Sequence, residues 1–147
     1  MLRNLILAGA LGFSLGGAAM AEEGTVVFIE LSGLATLEGD VYFAVYDSKD
    51  TWLGDDAIHR HSVTIADALD GEVVKSQFSV PPGEYAFSIF YDENGNGELD
   101  TNFIGIPKEP VAISNNARPK FGPPKYKDAV FTVAAEPITQ QITIKAI

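Results

Sequence analysis

The sequence predicts an all-β protein, an antiparallel β-sandwich of about seven strands with one long ordered loop. Three observations predict it. Apolar residues alternate with period two in segment after segment, Gly, Pro and Asn turns separate those segments, and helical periodicity is nearly absent. Residues 25–31 set Val27, Ile29 and Leu31 on one face, and residues 41–46 set Val41, Phe43 and Val45 together. A weaker strand is expected over residues 58–65, followed by one short helical turn over residues 66–69. Residues 73–80 align Val74, Phe78 and Val80, and residues 85–91 align Tyr85, Phe87, Ile89 and Tyr91. Residues 129–133 and 138–144 close the series.

Two segments stand outside this pattern. At the N-terminus, Arg3 precedes an uncharged, mostly apolar stretch that ends in Ala19-Met20-Ala21. This is the layout of a cleavable export signal, so residues 1–21 are expected to be removed and residues 22–147 to form a single domain, periplasmic or secreted. The apolar stretch is short for a span and lacks a basic stop-transfer flank, so no membrane insertion is expected after cleavage. The match to a nucleophile elbow at Gly12-Phe13-Ser14-Leu15-Gly16 falls inside this segment and carries no catalytic meaning. The second segment is residues 105–127, rich in proline and short of alternation, where a functional loop or a packed cover is expected.

Composition narrows the function. Without Arg3 the chain keeps 9 basic residues against 20 acidic ones, a net charge of −11 where the full chain has −10. Nucleic acid and anionic lipid both require a basic face, so neither is an expected partner, whereas cations are. With no cysteine, the domain must be held by its core, with or without a metal. The expected partner is a protein or a glycan, and the chain is expected to be a monomer.

The segment richest in chemistry is Asp92-Glu93-Asn94-Gly95-Asn96-Gly97-Glu98-Leu99-Asp100. Oxygen-bearing side chains at alternate positions, with glycine at the sixth, let a chain curl around a hard cation. Asp92, Asn94 and Asn96 occupy positions 1, 3 and 5 of an EF-hand-type loop, the Glu98 carbonyl position 7 and Asp100 position 9. The spacing resembles the loops of dockerins and thrombospondin-type repeats. Position 12, where an EF-hand has its bidentate glutamate, is Phe103. Calcium is therefore expected to bind weakly, with Kd on the order of 10⁻⁴ to 10⁻³ M. Asp47, which follows Tyr46 as Asp92 follows Tyr91, is the expected distant ligand. The competing reading is a plain turn, since Asn-Gly is itself a strong hairpin signal. The basic residues Lys108, Arg118, Lys120, Lys125 and Lys127 are expected to fold the long loop back onto this acidic segment.

His59 and His61, the only histidines, fall on one strand face. Such a pair can bind zinc, with help from Asp55 or Asp56, which makes metal-assisted hydrolysis an alternative function. Two histidines without a third ligand are more often an exposed strand face. No phosphate loop or His-Glu-x-x-His motif is present.

Pro82-Gly83-Glu84-Tyr85 resembles the P-G-x-Y turn of transthyretin-like and collagen-adhesin B-type sandwiches. A longer resemblance spans nearly the whole mature chain. It is carried by the run from Phe90 to Gly97, by Leu99-Asp100-Thr101-Asn102-Phe103-Ile104-Gly105-Ile106-Pro107-Lys108-Glu109, by Ser114-Asn115-Asn116-Ala117-Arg118, and by Phe121-Gly122-Pro123-Pro124 with Asp128-Ala129. These residues resemble the exported bacterial domain of unknown function numbered 2141. The resemblance implies an Ig-like or transthyretin-like sandwich and no established activity. Hydroxyisourate hydrolases, on a transthyretin scaffold, carry a C-terminal Tyr-Arg-Gly-Ser. This chain ends Thr143-Ile144-Lys145-Ala146-Ile147 and lacks it. The resulting expectation is an exported, non-catalytic binding or accessory module with a calcium-stabilised loop. The alternatives are a hydrolase on the His59/His61 face and a purely structural envelope domain without metal.

Overall fold

Alternation does fold as strands. In β1 (Thr25–Ser32), Val27, Ile29 and Leu31 are fully buried, while Phe28 between them is 39% exposed. The remaining elements are β2 (Asp40–Tyr46), β3 (His59–Thr64), helix α1 (Ile65–Ala68), β4 (Leu69–Asp70), β5 (Val73–Val80), β6 (Gly83–Asp92), β7 (Val111–Ile113), a 3-10 turn (Ser114–Asn116), helix α2 (Tyr126–Ala129), β8 (Phe131–Val133) and β9 (Ile138–Thr143). The computed structural model describes residues 24–145, so the expected export segment and its cleavage point lie outside the described residues. None of the described helices is long and apolar enough to cross a membrane.

The strands form two sheets. One has the order β4-β5-β1-β9, and the other β3-β2-β6-β7, with β8 also paired to β6. The inward faces meet in a core that includes Val27, Ile29, Val41, Phe43, Phe78, Phe87, Ile89 and Ile142. The result is a sandwich-like all-β fold, with three departures from the expected pattern. β1 and β9 pair in parallel, Val27 opposite Ile138 and Ser32 opposite Thr143, so the sandwich is not wholly antiparallel. The short β4 extends the first sheet. The long segment after residue 105 contains β7, whose three residues are too few to display alternation.

The Pro81-Pro82-Gly83 turn is closed by Tyr85, whose hydroxyl donates to the Pro81 carbonyl at 2.7 Å. A second small cluster lies on the other face of β6, where Ala86, Ile113 and Ala129 pack with Trp52, Ala117 and Tyr126. The later part of the long segment thus acts as a packed cover, because Ala86 points away from the main core and needs its own shield.

One side of β6 is shared by two strands in tandem. β8 pairs with residues 83–85, and β7 with residues 88–90. Phe87 falls in the gap, and its amide donates to Ser114 Oγ at 3.0 Å while that hydroxyl donates to the Ala129 carbonyl at 2.7 Å. Ser114 is fully buried, so its hydroxyl supplies the ladder contact that neither strand can make. Asn115 and Asn116 follow in left-handed conformation, φ 62° and 55°, which asparagine tolerates better than most residues. Asn116 then acts as a strand partner for β9: its amide nitrogen donates to the Gln141 carbonyl, and its Oδ1 accepts from the Thr143 amide at 2.9 Å. This turn therefore ties β7 to the opposite sheet. Ser114→Ala strands two buried polar groups and should cost about 1–3 kcal/mol, measured by urea unfolding. An unchanged midpoint would show that the gap is closed by other means.

Candidate functional site

Strand β6 ends at Asp92, which is only 3% exposed. Its carboxylate turns into the following loop, accepting the Gly95 amide at 3.1 Å and the Gly97 amide at 2.7 Å. Gly95 and Gly97 have φ of 72° and 79°, the left-handed conformation that lets the chain double back over its own first residue. Asn94 Oδ1 accepts from the Asn96 amide at 3.2 Å, and Asn96 Oδ1 from the Glu98 amide at 3.0 Å. The two side-chain amides then donate to one carboxylate: Asn94 Nδ2 to Asp100 Oδ2 at 2.5 Å, and Asn96 Nδ2 to Asp100 Oδ1 at 2.9 Å. Four of the expected ligand residues, Asp92, Asn94, Asn96 and Asp100, are thus gathered in one knot, while the Glu98 side chain is exposed.

Asp47 is not part of it. β2 and β6 are antiparallel, with Asp40 opposite Asp92 and Tyr46 opposite Ala86. Asp47, just past Tyr46, therefore lies at the far end of the strand pair. The offset is roughly 20 Å at about 3.3 Å per residue. Two similar strand endings in sequence reach opposite ends of an antiparallel sheet. Asp47 instead lies beside Tyr85 and Tyr126, whose hydroxyl pKa values are raised, first by burial and then by the neighbouring carboxylates.

The residue that completes the knot is Glu109, which the loop spacing does not reveal. It is 3% exposed, and its two carboxylate oxygens accept the Glu93 amide at 2.7 Å and the Asp100 amide at 2.9 Å. One buried side chain therefore clamps both ends of the acidic loop. The sequence signal available was Glu109 itself, the one acidic residue between Thr101 and Tyr126 in a segment whose other charges are all basic. All oxygen donors here suit a hard cation. As arranged, however, Asp100 faces amide nitrogens, and among the described residues no group of three or more carboxylate or imidazole side chains converges to hold an ion.

Between the two clamped strands of the loop a small hairpin projects. Thr101 bridges Pro107, the Asn102 amide donates to the Ile106 carbonyl at 2.9 Å, and the Lys108 amide donates to the Asp100 carbonyl at 2.8 Å. Asn102 Oδ1 accepts the Ile104 and Ile106 amides, both at 3.0 Å. The tip is thereby fixed, and it is apolar: Phe103 is 98% exposed, Ile104 65% and Ile106 53%.

The expected pairing of the basic loop with the acidic segment is not formed. Ion pairs among the described residues join Lys75 to Glu30 and Asp70, and Lys127 to its neighbour Asp128. The later half of the loop is tied elsewhere, by Trp52 Nε1 donating to the Pro124 carbonyl at 2.8 Å and by Tyr126 packing edge-on against Trp52. Trp52 packs in turn on Tyr46, at the Ala86 end of the sheet.

His59 and His61 do share a face, with His59 Nε2 and His61 Nδ1 3.0 Å apart. His61 stacks on Phe43 at 4.6 Å, and its Nε2 meets Ser76 Oγ at 2.8 Å, linking β3 to β5 in the opposite sheet. No third ligand joins them among the described residues. Burial, and secondarily the charge on His59, lowers the His61 pKa.

Two predictions follow from this geometry. Glu109→Gln leaves one clamped amide facing a donor nitrogen and the other on a neutral oxygen, so the 92–109 segment should be cut faster by protease and the domain should lose about 1–3 kcal/mol. Cleavage at the wild-type rate would mean that the clamp does not hold the loop. Because His61 binds its proton less readily folded than unfolded, stability should be full above about pH 6.5 and fall as pH drops below it. His61→Gln should flatten that fall between pH 7.5 and 5.5 in urea unfolding, and an unchanged slope would assign it to other groups.

A model of uncharacterized proteins conserved in bacteria, DUF2141, matches residues 29–141. Searches of curated proteins and of solved structures gave no match. The matched stretch runs from within β1 to within β9, taking in both sheets, the Ser114 plug and the clamped loop. The chain belongs to this bacterial family, the domain of unknown function 2141.

Proposed function

We propose that the protein is an exported, non-catalytic binding module whose acidic loop is stabilised by calcium. The observation that carries the reading is the braced hairpin: two buried carboxylates and a set of short hydrogen bonds fix a tip that offers Phe103, Ile104 and Ile106 to solvent. A domain gains nothing for its own core from such a tip, while a rigid apolar anchor loses little entropy on binding. The partner class is a protein or a glycan surface, and the Arg3-to-Ala21 layout supports export.

Calcium would be held by Asp92, Asn94, Asn96, the Glu98 carbonyl and Asp100, and would neutralise carboxylates that otherwise lack a counter-charge. It must displace the two amide-to-Asp100 hydrogen bonds, which keeps Kd in the range of about 10⁻⁴ to 10⁻³ M. Those same bonds favour a second reading, a structural domain whose turn needs no ion. Melting separates the two, because an ion bound only by the folded state at about ten times Kd adds roughly 1.4 kcal/mol. For a domain of this size that corresponds to a rise of about 3–6 °C. Asp100→Asn should abolish the rise, read against the variant's own EDTA melting temperature, which the loss of one Asn amide contact lowers slightly. A wild-type melting curve that is the same in millimolar calcium and in EDTA assigns the loop to structure alone.

A further inference from the structure

We infer that the acidic hairpin of one copy receives the basic, proline-rich loop of a second copy, so that the protein associates head-to-tail. Two loops each leave a phenylalanine almost wholly exposed, and their surroundings are opposite. Phe103, Ile104 and Ile106 are exposed on the hairpin that follows the clamped acidic loop, in which Glu93 and Glu98 are exposed. Phe121 is fully exposed in a left-handed conformation, φ 57°, between the exposed Arg118, Lys120 and Lys125. The hairpin tip is thus flanked mainly by acids, Lys108 at its base being the exception, and the Phe121 tip by bases, so the prevailing signs are complementary.

Both tips are preorganised. The hairpin is fixed by Asn102 and clamped by Glu109. The basic loop is pinned before its tip by the Ala117 amide on the Ser114 carbonyl and after it by Pro124 on Trp52, with prolines at 119, 123 and 124 restricting the interval. Within one molecule the complementarity is not used. The basic loop is anchored at the Trp52 and Tyr46 end, and no ion pair among the described residues joins it to the acidic segment.

Because the two surfaces differ, the contact is heterologous and propagates unless the rotation closes a ring. The net negative charge of each copy opposes assembly over long range. At physiological ionic strength charges are screened beyond about 8 Å, so the local match decides. Two small tips give a contact at the weak end of protein interfaces. The inference rests on the binding-module reading and is independent of calcium.

Sedimentation equilibrium of the mature protein tests it, in EDTA and in calcium, between about 10 µM and 1 mM, the span of weak complexes. Wild type should form dimers and larger species with rising concentration. Phe103→Ser and Phe121→Ser, both at exposed positions, should each stay monomeric at wild-type melting temperature. Their equimolar mixture should recover a dimer and nothing larger, since each keeps one intact half of the contact. Lys120→Glu should weaken association at least tenfold, with recovery on mixing with Glu98→Lys. A wild type that stays monomeric, single variants that assemble like wild type, or a mixture that stays monomeric would each overturn the inference. So would flotation of monomeric wild type with phosphatidylcholine or phosphatidylglycerol vesicles, which would assign Phe103 to lipid. A monomeric wild type that still shows the calcium-dependent melting shift would sink this contact and leave the calcium reading standing.

Discussion

The amide of Phe87 has no strand opposite it, and much of the architecture is arranged around that fact. β6 is ten residues long, while its partners on that side are three residues each, so a buried donor is left at the junction. An unpaired buried amide costs free energy comparable to a lost hydrogen bond. Ser114 meets the need with a single hydroxyl that accepts from one strand and donates to the next segment. Because the serine must sit at this junction, the chain has to enter it from one end of the sheet and leave toward the other. That routing sends residues 93–110 out as one excursion and residues 117–125 as another, and both phenylalanine tips lie on these excursions.

Burial of two carboxylates follows a similar economy. Asp92 and Glu109 are each withdrawn from water and held by backbone amides rather than by basic side chains. Each N–H donor to a carboxylate is a charge-assisted hydrogen bond, roughly twice as strong as a neutral one. The arrangement spares the loop a long basic side chain and keeps its geometry in the backbone, where there is little rotamer freedom to lose. It also leaves both carboxylates without a basic partner among the described residues.

Period-two alternation made most of the strands legible, because a half-buried strand must alternate whatever its partners. β4 and β7 were not legible, since two or three residues show no period and their pairing is decided by neighbours distant in sequence. The knot of Asp92, Asn94, Asn96 and Asp100 could be read because its contacts are local. Asp47 was misplaced because sequence shows that two strands end alike but not that they run in opposite directions. Glu109 went unread for the reverse reason: it acts across the hairpin, outside any loop spacing. Opposite charge suggested that the basic and acidic segments meet, but Trp52 holds the basic loop elsewhere, and an aromatic cluster outweighs exposed ion pairs.

The parallel pairing of β1 with β9 has a kinetic meaning. The first strand lies between β5 and β9 in its sheet, so that sheet is complete only when the last strand arrives. Contacts that span nearly the whole chain close slowly, because the loop entropy is spent before any packing returns it. Setting β9 beside β1 therefore makes closure of this sheet a late, long-range event, and until it occurs one edge of β1 stays open.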